Sequence, residues 1–189
     1  NEESPVGSSA TNGKIERGVQ TVEGHIGVLK SALEERVGRV RGDHCVVSWL
    51  VEFAAVLVNR YEVGHDGKTN YERLRGKASK LLGLEFCEMV HFRKSRVESK
   101  LGKLDVLWHD GIFLGYRPAS GEAVVGTKDG VFKTRNVRRR PEEERWSGKN
   151  LNYVVGVPWR MKPGDDREGE MLMPNVGDAM DMPEIEMEP

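Results

Sequence analysis

Glu16 is the residue whose type and position point most directly to chemistry. It lies about one turn into a predicted helix, beside Ile15 and Val19 on an apolar stripe, and Gln20 continues the same line. A carboxylate at the edge of a buried face could share Mg²⁺ with carboxylates from other elements, since Mg²⁺ takes oxygen ligands and few of them from protein. A Glu in a first helical turn is also favourable without any metal, because the helix N-terminus is partly positive.

Two basic clusters farther along the chain could contact phosphate. The first is Arg93, Lys94, Arg96, Lys100 and Lys103, and the second is Arg135, Arg138, Arg139 and Arg140. Both fall at predicted strand ends or turns, where cationic side chains on a rigid sheet can bind phosphate without reading base sequence. The alternative is a solvated rim balanced by the acidic run 142–144. The aromatic residues are expected to pack in the core, and Trp108 is the one candidate exception that could stack on a base.

The net charge of −1 conceals a division along the chain. Lys and Arg number 7 against 8 acidic residues in 1–60, 19 against 13 in 61–149, and 3 against 9 in 150–189. A basic middle and an acidic tail are compatible with a middle segment that meets phosphate, although solvated surfaces produce the same pattern.

Other common chemistries find no support in the sequence. The two cysteines, Cys45 and Cys87, lie in no CxxC or His-rich spacing, which predicts free thiols and neither a disulfide nor a zinc site. The five histidines are scattered, with none at i, i+4 spacing from another ligand, so no metal or base role is assigned to them. No phosphate-cradling Gly-rich loop and no G-x-S-x-G turn is present.

The elements that would position these residues begin with two helices. Apolar residues recur in steps of three and four at Ile15, Val19, Val22, Ile26, Leu29, Leu33 and Val37, which predicts a helix from Asn12, capped by Thr11 or Asn12 and ended by Gly38. His44 to Tyr61 is apolar on most sides and predicts a second, largely buried helix, packed antiparallel to the first. Thr69 and Glu72 fit a capping box that opens a short helix.

Short β-favouring runs follow. Strands are predicted over Met89 to Phe92, Gly111 to Tyr116, Ala123 to Val125 and Val131 to Val137. Four or five short strands in about fifty residues favour a small barrel over a sandwich. Beyond Trp159 the chain has no aromatic residue and no sustained periodicity, and we expect disorder there.

Nothing in the sequence resembles a membrane span or a secretory signal, so we expect an intracellular protein with no membrane partner.

Three stretches, taken together, are similar to the integrase of copia-type retrotransposons. Thr11 to Arg17 resembles the N-G-x-x-E-R signature, and Lys68 to Leu74, preceded by Asn59-Arg60, resembles the T-P-Y-E stretch with Asn70 where Pro is usual. Gly111 to Tyr116 looks like the G-I-F-L-G-Y strand of the barrel after the catalytic core, and Val131 to Val137 occupies the place of a later strand ending in R-x-V. The stretches occur in the family's order.

The resemblance implies that Glu16 is the third member of a D, D, E triad. In the complete protein it would ligate Mg²⁺ or Mn²⁺ in a two-metal site that transfers strands of element DNA into target DNA. No Asp precedes Glu16, the first being Asp43, so both Asp partners are missing from this chain, and we expect the chain alone to be inactive.

The predicted fold class is α+β. Residues 1–62 would supply C-terminal helices of a ribonuclease H-like core, 63–84 a linker with a short helix, 85–140 a Src-homology-3-like barrel, and 141–189 a mostly disordered acidic tail. The resemblance implies DNA as partner, self-association in the complete integrase, and a nuclear site of action. The alternatives are a non-enzymatic module that binds nucleic acid or protein, and a non-functional transposon remnant.

Overall fold

The chain folds as helices packed on one antiparallel sheet, which confirms the mixed helix-and-strand class. The computed structural model describes residues 9–94 and 106–164. The helices are α1 (Ser9–Val37), α2 (Cys45–Tyr61), α3 (Asn70–Arg75) and α4 (Gly148–Leu151), and a 3₁₀ helix covers Glu142–Glu144. The strands are β1 (Met89–Arg93), β2 (Trp108–Tyr116), β3 (Ala123–Thr127), β4 (Gly130–Thr134) and β5 (Val137–Arg139).

The three predicted helices are confirmed, with differences at their ends. α1 begins at Ser9, so Thr11 and Asn12 lie inside the helix and the predicted caps are wrong. Gly38 ends α1 in the left-handed conformation, at φ +84°, and its N–H donates to Glu34 O at 3.0 Å. His44 caps α2 instead of belonging to it, since its Nδ1 accepts from Val46 N. The capping box of α3 forms as predicted: Glu72 N donates to the Thr69 hydroxyl and Thr69 N to the Glu72 carboxylate.

α1 and α2 run antiparallel, because Val58 and Glu62 near the end of α2 line the same cleft as Arg17 and Thr21 near the start of α1. The helices have unequal lengths, 29 and 17 residues. α2 therefore cannot cover the whole apolar stripe of α1. Leu33 is buried in the stripe, whereas Ile15 and Val19 are 64% and 51% exposed.

The sheet has five strands in the order β4-β3-β2-β1-β5, and every neighbouring pair is antiparallel. The predicted strand Val131 to Val137 is two strands, because a turn interrupts it at Arg135 and Asn136. The Thr134 hydroxyl stabilises this turn by accepting from Asn136 N at 3.1 Å and donating to Arg93 O at 2.7 Å. After the turn, β5 leaves β4 and pairs with β1.

The sheet curls strongly but does not close into the predicted barrel. Phe132 on β4 reaches Phe92 on β1, with ring centroids 5.7 Å apart, although two strands separate β4 from β1 in the sheet. No ladder joins β4 to β5 among the described strands. The edge of β4 is covered instead by the chain that follows, since Val131 N donates to Met161 O at 2.8 Å. A register shift between Phe113 and Gly115 in β2 assists the curl.

The helices and the sheet share one hydrophobic core. Phe53 of α2 packs against Phe86 and Phe113, at ring-centroid distances of 5.5 and 5.8 Å. Trp49 is 1% exposed, and its indole N–H donates to Gly156 O at 3.0 Å. The same core therefore includes parts of both the predicted helical segment and the predicted barrel segment.

The expectation of disorder is corrected for residues 141–164, which pack on the rest of the fold. Leu151, Val154 and Met161 are buried there, and Cys45 Sγ donates to Val154 O at 3.1 Å. Isolated apolar residues in a polar stretch produce no periodicity, which is why the sequence pattern did not reveal this packing. The remaining tail, residues 165–189, lies outside the described residues.

An ion pair with one fully buried partner joins β5 to the turn before β1. Glu88 is fully buried, and Arg139 Nε donates to both of its carboxylate oxygens at 3.0 Å while Nη2 donates to Oε2 at 2.8 Å. Arg139 Nη2 also donates to Gly83 O at 2.9 Å. These charge-assisted hydrogen bonds compensate the burial of the carboxylate, and losing either partner would leave a poorly paired charge.

We predict that Glu88→Gln lowers the free energy of unfolding by about 2 kcal/mol, because the buried side chain at position 88 would lose its charge-assisted hydrogen bonds with Arg139. Urea denaturation of both proteins measures this difference. Glu85→Gln is the matched control, since Glu85 is 3.8 Å from Arg139 and its side chain is 44% exposed; its effect should stay below about 1 kcal/mol. Equal losses of unfolding free energy in the two variants would contradict the larger contribution assigned to the Glu88–Arg139 pair.

We also predict that Gly111→Ala destabilises the protein by about 1–3 kcal/mol through overpacking. A Cβ at position 111 would lie 2.3 Å from Val125 Cγ1 and 3.0 Å from Phe92 Cε1. Gly27→Ala is the control, because Gly27 is exposed on α1 and nothing lies within 4 Å of the added Cβ. We expect it to raise the free energy of unfolding by about 0.5–1 kcal/mol. A thermal midpoint for Gly111→Ala at or above that of the parent chain would contradict the tight contact.

Candidate nucleic-acid interface

Glu16 and Gln20 lie on α1 and are exposed. Because α1 begins at Ser9, Glu16 is about two turns inside the helix, and the favourable effect of the helix N-terminus, which fades within one turn, does not explain it. Within residues 9–94 and 106–164, no group of three or more His, Cys, Asp or Glu side chains could hold a metal ion. The role of Glu16 as a ligand of Mg²⁺ or Mn²⁺ therefore stays a prediction about a complete catalytic core.

The first basic cluster is described only in part. Arg93 lies half-buried at the end of β1, and Lys94 places its Nζ 4.4 Å from the centroid of the Phe132 ring. The other members, Arg96, Lys100 and Lys103, lie outside the described residues.

The second basic cluster is divided by its ion pairs. Arg139 is bound to Glu88, as described above. Arg140 contacts Asp110 at 2.6 Å and Glu144 at 3.4 Å, with its side chain only 15% exposed. Arg135 contacts Glu122 at 3.2 Å but is 79% exposed. Arg138 is exposed, and its guanidinium lies 4.3 Å from the centroid of the Trp108 ring. Arg139 and Arg140 are therefore mainly structural, and Arg138 is the member best placed to meet a ligand.

Strand register brings Arg138 together with Arg93. His91 lies directly opposite Arg138 on β5, and Arg93 lies opposite Trp108 on β2. Cross-strand partners and residues two apart on one strand share a face of a sheet. His91, Arg93, Trp108 and Arg138 therefore form one surface, here named the β1–β5 face.

The β1–β5 face carries net positive charge. Its described carboxylate is Asp110, opposite His91, which contacts His91 Nδ1 at 2.7 Å and Arg140 Nη2 at 2.6 Å. Burial opposes ionisation of Asp110, but the hydrogen bond from Arg140 and the nearby charges of Arg140 and His91 outweigh it, so the pKa of Asp110 is lowered. Arg140 compensates this carboxylate, and none of the ion pairs among the described residues involves Arg93 or Arg138, so both charges are available to a ligand. A phosphate backbone fits such a surface.

Stacking on Trp108 also preorganises Arg138. A guanidinium over an indole face gains cation–π attraction while its N–H edge stays available for hydrogen bonds. The suggestion that Trp108 differs from the core aromatics is consistent with its half-buried position, although Arg138 covers the ring where a base would stack.

The sequence reasoning missed a further set of cations around α3. Lys68, Arg73, Arg75, Lys77 and Lys80 are exposed, and Arg60 on α2 is buried at 6% exposure. Local sequence gave one signal, since five cations and one acid, Glu72, lie between positions 68 and 80. The burial of Arg60 had no sequence signal, because it depends on the packing of α3 and of the loop at Pro118.

Two other features have no place in this interface. Cys45 and Cys87 are free thiols, as predicted, and burial raises the pKa of each. In the part of the chain that the structure describes, no helix combines the length and the apolar character needed to cross a membrane.

Comparisons of the chain with protein-family models, with curated proteins and with solved structures found no match.

We predict that the purified chain neither nicks nor joins DNA strands in Mg²⁺ or Mn²⁺. A single exposed carboxylate cannot hold the two metal ions that such a transesterification uses. Incubation with a labelled duplex and a supercoiled plasmid, resolved on denaturing gels, measures both reactions. Metal-dependent products that disappear in Glu16→Gln would contradict the prediction.

Proposed function

We propose that this chain is part of a copia-type retrotransposon integrase and contributes a DNA-binding surface, the β1–β5 face. The observation that carries the proposal is the placement of Arg138 over Trp108 next to Arg93, on one face of a rigid sheet. The integrase assignment is supported by the similarity of the stretches at Thr11 to Arg17, Lys68 to Leu74 and Gly111 to Tyr116.

The sheet topology is compatible with the Src-homology-3-like barrel in that proposal. Gly111 to Tyr116 lies within β2, and Val131 to Val137 includes most of β4 and the first residue of β5. The strands form a meander in which β5 returns to pair with β1, and the curl brings β4 against β1. These features support a barrel-like unit that is open along one side.

The proposed mode of binding is contact with the phosphate backbone. Arg93 and Arg138 project from strands, and no helix or ribbon is described beside them that could enter a groove to read base edges. Binding would therefore depend strongly on salt and weakly on base sequence.

In the complete integrase, Glu16 would be the third carboxylate of the metal site. Its exposure on α1, next to exposed Ile15 and Val19, leaves it accessible to other parts of a catalytic core. Mg²⁺ or Mn²⁺, element and target DNA, self-association and a nuclear site of action belong to this proposal.

A non-enzymatic interaction module is the second candidate, favoured by the uncovered apolar stripe of α1, which suits pairing with another helix. The two candidates differ in their need for a carboxylate at position 16. Glu16→Gln in a complete integrase should abolish strand transfer with folding retained if the enzyme proposal holds, and should change nothing if the module proposal holds.

We predict that Arg138→Gln and Arg93→Gln each weaken binding of the chain to a random-sequence duplex. Each lost phosphate contact should reduce the slope of log affinity against log salt by about 0.9. Fluorescence anisotropy at several salt concentrations measures both quantities.

Arg41→Gln is the matched control for these two variants. Arg41 is an exposed arginine in the loop between α1 and α2, paired with Asp43 at 2.6 Å. Its affinity and salt slope should equal those of the parent chain. If all three variants bind alike, the β1–β5 face is not the DNA-binding surface.

A further inference from the structure

Arg60 lines a cleft between α2 and α3, and in the part of the chain that the structure describes no carboxylate pairs with its guanidinium. Its Nη1 donates to Ser79 Oγ at 3.2 Å, its Nη2 donates to Pro118 O at 3.3 Å, and its guanidinium lies 4.5 Å from the centroid of the Tyr71 ring. The residue is only 6% exposed. In the described ranges, none of the ion pairs involves Arg60.

Burial of a guanidinium without a counter-ion is unfavourable, and two neutral acceptors compensate it only in part. Glu52 is an acidic residue that lines the cleft. It precedes Arg60 by eight helical residues, or about 12 Å along the axis of α2, which is too far for an ion pair. An anion that enters the cleft would supply the missing charge.

The cleft has room for such an anion and a body attached to it. Its volume is about 490 Å³, within the range of small-molecule sites. Val56, Tyr71 and Leu74 form an apolar wall, the amides of Asn59 and Asn70 supply hydrogen-bonding groups, and Arg75 adds a second cation. Leu74 is 81% exposed at this wall. An inorganic ion alone would leave the wall without contacts.

We propose that this cleft binds one nucleotide unit of a nucleic-acid strand, with the phosphate on Arg60 and the sugar and base against the apolar wall. The proposal rests on the nucleic-acid-binding function proposed above and adds a second contact surface to it. The surrounding charge favours a polyanion over a single small anion, because α3 and the loops on either side of it carry the five exposed cations Lys68, Arg73, Arg75, Lys77 and Lys80. Two nearby carboxylates already have partners. Asp66 forms an ion pair with Arg73, and the Glu72 carboxylate accepts from Thr69 N in the capping box of α3.

The assignment also gives a physical role to sequence stretches that the β1–β5 face does not use. Asn59-Arg60 and Lys68 to Leu74 are separate in the sequence, and the packing of α2 against α3 brings them to the same cleft. Tyr71 connects the two stretches, because its ring packs on the guanidinium of Arg60 and also forms part of the apolar wall.

The first test follows the Arg60 Nε–Hε signal in nuclear magnetic resonance spectra of the full, unmodified chain. Inorganic phosphate and a single-stranded oligothymidylate are the two probes. We expect the Arg60 signal to shift with both, at concentrations at least tenfold lower for the oligonucleotide. A signal that moves with neither probe overturns the site, and a signal that moves only with phosphate overturns the assignment to nucleic acid.

The second test compares Arg60→Gln with Ser79→Ala, which removes one of the hydrogen bonds of Arg60 but keeps its charge. We expect Arg60→Gln to weaken oligonucleotide binding at least fivefold and Ser79→Ala to weaken it less than twofold. Equal affinities of these two variants overturn the proposal. If Arg60→Gln does not fold, the spectra of the unmodified chain still decide.

These measurements distinguish rejection of the cleft between α2 and α3 from rejection of the β1–β5 face. Oligonucleotide binding that is weakened by Arg138→Gln and leaves the Arg60 signal unmoved retains the β1–β5 face and rejects the cleft. A chain that binds neither duplex nor oligonucleotide rejects both.

Discussion

The ion pair between Glu88 and Arg139 is the interaction on which the position of β5 depends. Strand β5 has only three residues and, among the described strands, pairs with β1 alone, so its backbone ladder is short. The guanidinium of Arg139 holds it to a fully buried carboxylate and to Gly83 O. Next to this pair, the Tyr116 hydroxyl donates to Leu82 O, and burial raises the pKa of Tyr116 to about 12. The segment before β1 and the end of the sheet are thus fixed together.

The same constraint determines which arginine lies over Trp108. Residues alternate between the faces of a strand, so anchoring Arg139 inward turns Arg138 outward. Arg138 then meets Trp108, while Arg140 turns to Asp110 and Glu144. A run of three arginines therefore divides into one structural anchor, one compensated cation and one cation available to a ligand. The position of Arg138 in the DNA-binding surface that we propose therefore depends on the pair formed by Glu88 and Arg139.

Sequence patterns predicted the elements well and their assembly less well. Three local signals correspond to observed elements. They are the apolar residues that recur every three or four positions in α1, the capping box at Thr69, and the β-favouring run at Gly111 to Tyr116. The open curl of the sheet, the packing of residues 141–164 and the burial of Arg60 depend on contacts distant in sequence. For the site, composition identified Arg93 and Arg138 but could not separate them from Arg139, because the partner Glu88 is 51 residues away.

The most direct test of the central claim, that the β1–β5 face contacts DNA, follows the indole N–H signals of the four tryptophans during titration with a random-sequence duplex. Trp108 lies under Arg138 on this face, whereas Trp49 is buried and its indole N–H donates a hydrogen bond to Gly156 O. We expect the Trp108 signal to shift first and saturate, and the Trp49 signal to stay in place. Saturable duplex binding that leaves Trp108 unmoved would contradict the account and place the DNA on another surface.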